Sequence, residues 1–138
     1  MRADFYLLNT PQAEIRTFTC RLLQKIYQKK LSTYLYVQHT EKTKEWDHYL
    51  WTFNDVSFLP HQCYTLDITS SAPILIGSIK PQSKQDVLIN LTDSVPDFCE
   101  QFPRVVEIVS SEETEKSLAR KKYQHYRTLG FQLHTNAI

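Results

Sequence analysis

Four side chains near the end of the chain, Lys116, Arg120, Tyr123 and Arg127, recur at spacings of four, three and four. On a helix such neighbours stand one turn apart and touch, so together they form a cationic ridge with a phenol ring in its middle. The chemistry open to this ridge is anion recognition. Two guanidinium forks pair with carboxylates bidentately, and tyrosine is an amphipathic contact residue enriched at interfaces. The preceding apolar run ends in Val109, close to where a hydrophobic anchor could dock. A peptide with acidic residues and an apolar, carboxylate-bearing end suits such a surface. The spacing equally suits a plain solvated face, because the helix dipole favours cations toward a C-terminus by about 0.3–1 kcal/mol each.

A second concentration of chemistry lies between Trp51 and His61, where Trp51, Phe53, Phe58 and Leu59 crowd beside Asn54-Asp55 and Pro60-His61. One reading is a core-forming loop under which the rings pack. The other is a partly exposed aromatic patch, which marks protein-binding sites. In a mixture of the two, some rings turn inward while Trp51 and Phe58 face a partner.

Catalytic chemistry is poorly supplied. His61 and Cys63 are two apart, which on a strand puts them on one face and permits a Cys/His nucleophile pair. That makes a cytoplasmic thiol hydrolase of α/β fold the rival reading, although no orienting third group or oxyanion loop accompanies the pair. None of the five histidines falls in H-E-x-x-H or another zinc-ligand spacing. The carboxylates Asp47, Asp55, Glu107 and Glu113 are spread out, so no metal centre is expected. With only two glycines, Gly77 and Gly130, the chain has neither a P-loop nor G-x-G-x-x-G, and G-x-S-x-G is missing too. No catalytic residue and no cofactor is expected.

These groups must be positioned by a chain of 138 residues, enough for one domain spanning 1–138 with a sizeable core. The composition, 41% hydrophobic and 22% charged, is that of a folded globular protein. A net charge of +1 argues against bulk nucleic-acid binding, so electrostatic function must come from local clustering. No apolar run approaches the ~20 residues that cross a bilayer. Met1-Arg2-Ala3-Asp4 followed by Phe5-Tyr6-Leu7-Leu8 does not read as a signal peptide, so the cytoplasm is the expected location. Cys20, Cys63 and Cys99 form no C-x-x-C pair and read as buried thiols in a reducing compartment.

Strands and helices alternate. Phe5 to Leu8 reads as a strand. Thr10-Pro11 then opens a helix whose apolar stripe includes Ile15, Phe18, Leu22 and Ile26, with Arg16, Arg21, Lys25 and Lys29 mostly off it. Thr33 to Gln38 is a second strand, and Thr43 to Leu50 a second helix. The near-continuous apolar runs Ile74 to Ser78 and Val87 to Leu91 suit strands covered on both faces. Pro96 to Phe102 gives one or two helical turns, and Arg104 to Val109 a further strand. Ser110 with Glu113 offers a capping box for a last helix reaching about Leu129, with Gly130 as its C′ residue. On that helix Leu118, Tyr126 and Leu129, with the Lys122 stem, make the core face, and the cationic ridge lies nearly opposite. The alternation predicts an α/β fold, Rossmann-like, with a mostly parallel sheet and helices on both faces. Leu59 to Ala72 reads as a structured loop.

Asp4 to Leu8, Trp46 to Phe53, Ser57 to His61, Val87 to Leu91, and Ala119 to Arg127 with Gly130-Phe131 follow one another along nearly the full length, and in this ordered set the chain resembles the chi subunit of bacterial DNA polymerase III. Asp4-Phe5-Tyr6-Leu7-Leu8 is similar to that family's F-Y-L-L strand, and Trp46-Asp47-His48-Tyr49-Leu50-Trp51-Thr52-Phe53 to its L-D-x-x-L-W-x-F stretch. Ser57-Phe58-Leu59-Pro60-His61 resembles S-F-[LV]-P-H, and Val87-Leu88-Ile89-Asn90-Leu91 resembles V-L-I-N-L. Ala119 to Arg127 followed by Gly130-Phe131 resembles A-R-x-[RK]-Y-x-x-Y-R-x-x-G-F. The resemblance implies a non-catalytic accessory subunit that pairs with the psi subunit and grips the acidic C-terminal tail of single-stranded DNA-binding protein. It places Val109, Lys116, Arg120 and Tyr123 at the tail site and Trp51 and Phe58 at the psi face, for which a helicase is a potential competitor. DNA contact is then indirect, and no membrane is involved. Gln124 departs from relatives that carry a basic residue after the tyrosine.

Overall fold

The computed structural model describes residues 1–11, 14–53, 59–66 and 72–138. Seven strands are joined in one sheet: β1 (Arg2–Leu7), β2 (Thr33–Tyr36), β3 (His61–Cys63), β4 (Ile74–Gly77), β5 (Val87–Asn90), β6 (Arg104–Val109) and β7 (Gln132–Ala137). Their order across the sheet is β3-β4-β2-β5-β6-β1-β7, and every pair is parallel. Among the described residues three α-helices accompany them: α1 (Ile15–Gln28), α2 (Thr40–Thr52) and α3 (Glu113–Thr128), with a 3-10 turn at Cys99–Gln101.

Parallel strands need helical crossovers that cover both faces, which is why the central strands are buried and largely apolar, with polar exceptions such as Asn90 and Glu107. Side chains alternate between the two cores. One face packs Leu35, Ile76, Ile89 and Ile108 beneath α1 and α2, through Leu22, Leu23, Ile26, Trp46 and Leu50. The other packs Ala3, Phe5, Leu88, Val105 and Val109 with Tyr126 of α3 and with Phe98, Cys99 and Phe102 around the 3-10 turn. Tyr34 lies in this second core, its hydroxyl donating to the Ile79 carbonyl. A Cβ at position 77 would collide with that phenol, so glycine is required there.

The α/β class is as expected, and the sheet is parallel throughout. α2 runs beyond Thr43–Leu50 at both ends, to Thr40 and Thr52. β3 and β7, the two edges, were not expected as strands. β7 is mostly polar and exposed, with Leu133 packed against the second core, and β3 is three residues long. α3 starts later than the capping box implies. Its N-cap is Glu112, and Ser110 is buried, accepting a long 3.5 Å bond from the Glu112 N–H. Gly130 does stand just beyond the helix end, at φ +90°, a conformation that glycine adopts without steric cost.

Candidate functional site

α3 is held to the sheet by a buried polar cluster. Glu107 on β6 is 2% exposed and faces α3. Its carboxylate accepts from Tyr126 Oη at 2.7 Å, Asn90 Nδ2 at 2.7 Å and Lys122 Nζ at 2.9 Å. Lys122 also donates to the Thr92 carbonyl at 2.6 Å. Burial pushes the Glu107 carboxyl above its usual range, against the opposing pull of the Lys122 charge and the three donors. Tyr126 stands edge-on to Phe5 at 6.0 Å and to Phe131 at 5.2 Å. With Lys122 and Tyr126 tied inward, the rotation of α3 is fixed, and so is the direction of its outer residues.

Those outer residues frame a groove of about 330 Å³ between α3 and the C-terminal ends of β1 and β6. Phe5, Leu7, Leu8 and Val109 give it an apolar floor, and Lys116, Arg120, Tyr123 and Gln124 stand along the α3 wall. Tyr123 is half-buried, its ring 5.4 Å from that of Phe5. It therefore leans onto the core rather than away from it, which corrects the expectation that the ridge lies nearly opposite the core face. The ridge is the rim of that face. Arg120 is exposed and makes no side-chain hydrogen bond or ion pair among the described residues. Among the described residues Lys116 pairs with Glu113 alone, 3.9 Å away in an exposed pair, an arrangement worth little in water. Arg127 is exposed one turn farther along the helix and does not line the groove.

The structure thus brings Val109, Lys116, Arg120 and Tyr123 to one site and leaves Arg127 outside it. Sequence reasoning missed Phe5, Leu7 and Thr135 as lining residues. Phe5 and Leu7 could have been found from the two-residue alternation of a strand. Thr135 carries no comparable signal, because it lies on the polar edge strand.

Trp51, at the end of α2, is 55% exposed, with its ring 4.7 Å from that of His61. Phe53 is half-buried against the α1–α2 core. Phe58 lies outside the described residues. His61 and Cys63 do share β3, but they do not form an activated pair. His61 Nδ1 is 2.6 Å from the Leu59 carbonyl, and Nε2 is 3.2 Å from Asp47 Oδ1 without hydrogen-bond geometry. Burial, and then the Asp47 charge, push the Cys63 thiol upward, opposite to what a thiolate nucleophile needs. No group of three or more metal-ligating side chains occurs among the described residues, and no helix among them is long and apolar enough to cross a membrane.

Comparison with known proteins decides the family. The family model described as "DNA polymerase III chi subunit, HolC" matches residues 1–134. This chain belongs to the DNA polymerase III chi subunit family. It is 33% identical over 140 residues to DNA polymerase III subunit chi of Pseudomonas aeruginosa, covering 99% of this chain and 96% of that protein. The subunit chi of Escherichia coli K12 is 29% identical, covering 96% and 95%. Among solved structures, T4 UvsW superimposes with a TM-score of 0.69 at 9% identity, over 99% of this chain and 41% of that one. S. cerevisiae dbp5, bound to nup159, gle1, ip6 and adp, gives 0.61 at 6% identity, over 97% and 41%. At such identities the likeness concerns the fold alone. As a chi family member the chain is a replication accessory subunit of DNA polymerase III, not a catalytic one.

Proposed function

We propose that residues 1–138 act as one cytoplasmic domain that captures the acidic C-terminal tail of single-stranded DNA-binding protein in the α3 groove. The observation that carries this reading is Arg120, an exposed guanidinium without an acid partner among the described residues, at the rim of an apolar cleft. A tail carboxylate pairs with Arg120, helped by Lys116, while the apolar end of the peptide rests on Phe5, Val109 and Tyr123. Gln124, which lines the same wall, offers an uncharged amide to the peptide. Arg127, beyond the groove, adds long-range attraction only.

The exposed indole of Trp51 supports a second contact, with the psi subunit, on the far side of the sheet from α3. Psi pairing together with tail capture would connect the clamp loader to coated template. A helicase that docks by the same indole would then compete with psi.

Calorimetric titration with a synthetic tail peptide tests the first contact. A charge-assisted hydrogen bond is worth about 1.5–3 kcal/mol, and tenfold in affinity is about 1.4 kcal/mol. Arg120→Ala should therefore weaken binding about tenfold or more. Affinity should also fall as salt rises. An unchanged affinity would remove the tail assignment. Trp51→Ala should abolish co-purification of psi and leave tail affinity as it was; loss of both would instead indicate a damaged fold.

A further inference from the structure

The net charge of +1 conceals a segregated segment. Between residues 15 and 40 the chain carries Arg16, Arg21, Lys25, Lys29 and Lys30 and no Asp or Glu. Arg16 is engaged with Tyr49, its guanidinium carbon 4.1 Å from the ring centroid. Arg21 and Lys25 on the exposed side of α1, and Lys29 at its C-cap, recur every four residues and line a groove of about 670 Å³. Tyr6 and Phe18, half-buried with ring centroids 5.4 Å apart, line it as well.

None of these three cations makes a side-chain hydrogen bond or ion pair among the described residues, and the groove's described lining, which also includes Arg104 and Ile138, holds no Asp or Glu side chain. Asp4 does not offset this charge. It is buried between two guanidinium groups, bonded by Arg104 Nε at 2.7 Å and Arg2 Nε at 2.9 Å. Lys30 extends the cationic run past the helix end at φ 61°, a conformation that ordinarily selects glycine.

We propose that this groove binds the phosphodiester backbone of a single-stranded nucleic acid, on the face of the sheet opposite the α3 groove. Four-residue steps along a helix advance about 6 Å, close to the repeat of an extended sugar–phosphate strand, so successive cations meet successive phosphates. Tyr6 and Phe18 give unpaired bases a surface to stack on. An acidic peptide would use the cations but leave that aromatic surface idle, and a double helix keeps its base faces stacked inside. The contact would add a direct hold on the strand to the indirect one through the α3 groove. Because the two sites lie on opposite faces, either can fail without the other.

Fluorescence anisotropy with a labelled oligothymidylate tests this, with the full chain and no tail peptide present. Replacing Arg21, Lys25 and Lys29 together by Ala should weaken binding at low salt about tenfold or more. It should also make the slope of log affinity against log salt shallower by about 2, from three contacts at about 0.7 each on a single strand. The same three positions changed to Gln should give the same loss, guarding against a helix defect in one variant. Replacing the exposed Lys44, Lys80 and Lys84 by Ala removes equal charge away from the groove and should leave binding largely intact. No measurable binding by the unmodified chain at low salt would overturn the proposal. So would equal losses in the two triple variants, or tighter binding of a polyglutamate peptide than of the oligonucleotide.

Discussion

Glu107→Ala is the perturbation that most directly probes how α3 is held. The carboxylate is buried and accepts three hydrogen bonds, from Tyr126, Asn90 and Lys122. Truncation leaves the Tyr126 hydroxyl, which is fully buried, without its acceptor. Lys122, 12% exposed, keeps only the Thr92 carbonyl. An orphaned buried donor costs about 1–3 kcal/mol, and breaking a buried ion pair from one side about 3–5 kcal/mol. These overlap, so the expected loss is about 3–5 kcal/mol, measured by urea unfolding followed by circular dichroism. Adding Lys122→Met removes the stranded cation and should recover part of the loss, giving a clear coupling energy in a double-mutant cycle. A loss below about 1 kcal/mol would refute the reasoning, because no element this weakly held could set the rotation of α3.

Further outcomes follow from the same geometry. The hydrogen bonds and charges of Arg2 and Arg104 outweigh the burial that would raise the Asp4 carboxyl, and hold it below its usual range. A depressed carboxyl stabilises the fold above its unfolded pKa of about 3.9 and loses that contribution as pH falls through the folded value. Asp4→Asn should therefore cost about 1–3 kcal/mol at neutral pH; in denaturant titrations across pH, a gap that stayed constant into acid would contradict this. Gly77→Ala should destabilise by about 1–3 kcal/mol through overpacking against Tyr34. Tyr34→Phe in the same chain should relieve part of that cost, since the hydroxyl is the nearest obstacle, and failure to do so in thermal melts would place the strain elsewhere.

The buried half of the molecule was legible in the sequence, for a physical reason. Ile74 to Gly77, Val87 to Asn90 and Arg104 to Val109 are covered on both faces and are mostly apolar, so composition marked them. β3 and β7 were illegible because an edge strand is fixed by hydrogen bonds to its neighbour, which leave little apolar imprint: of Gln132 to Ala137 only Leu133 packs against a core. At the α3 site, helical spacing found Lys116, Arg120 and Tyr123 because all three share one helix. It also extended the ridge to Arg127, since a repeat does not reveal where the groove beneath it ends. The floor residues Phe5 and Leu7 come from a strand over a hundred positions away, and only the sheet brings them under α3. Glu107 looked like one of several scattered carboxylates. Its importance lies in Lys122, Tyr126 and Asn90 converging on it, which spacing along one segment does not encode.

Backbone amide shifts of the isotopically labelled chain, followed by NMR during addition of the tail peptide of single-stranded DNA-binding protein, address the α3 groove most directly. The account predicts progressive, saturable changes at Val109, Lys116, Arg120, Tyr123 and Gln124, with the α1 face and the surroundings of Trp51 unmoved. Changes gathered around Arg21 to Lys29 or Trp51 instead, or none along α3 at saturating peptide, would contradict it.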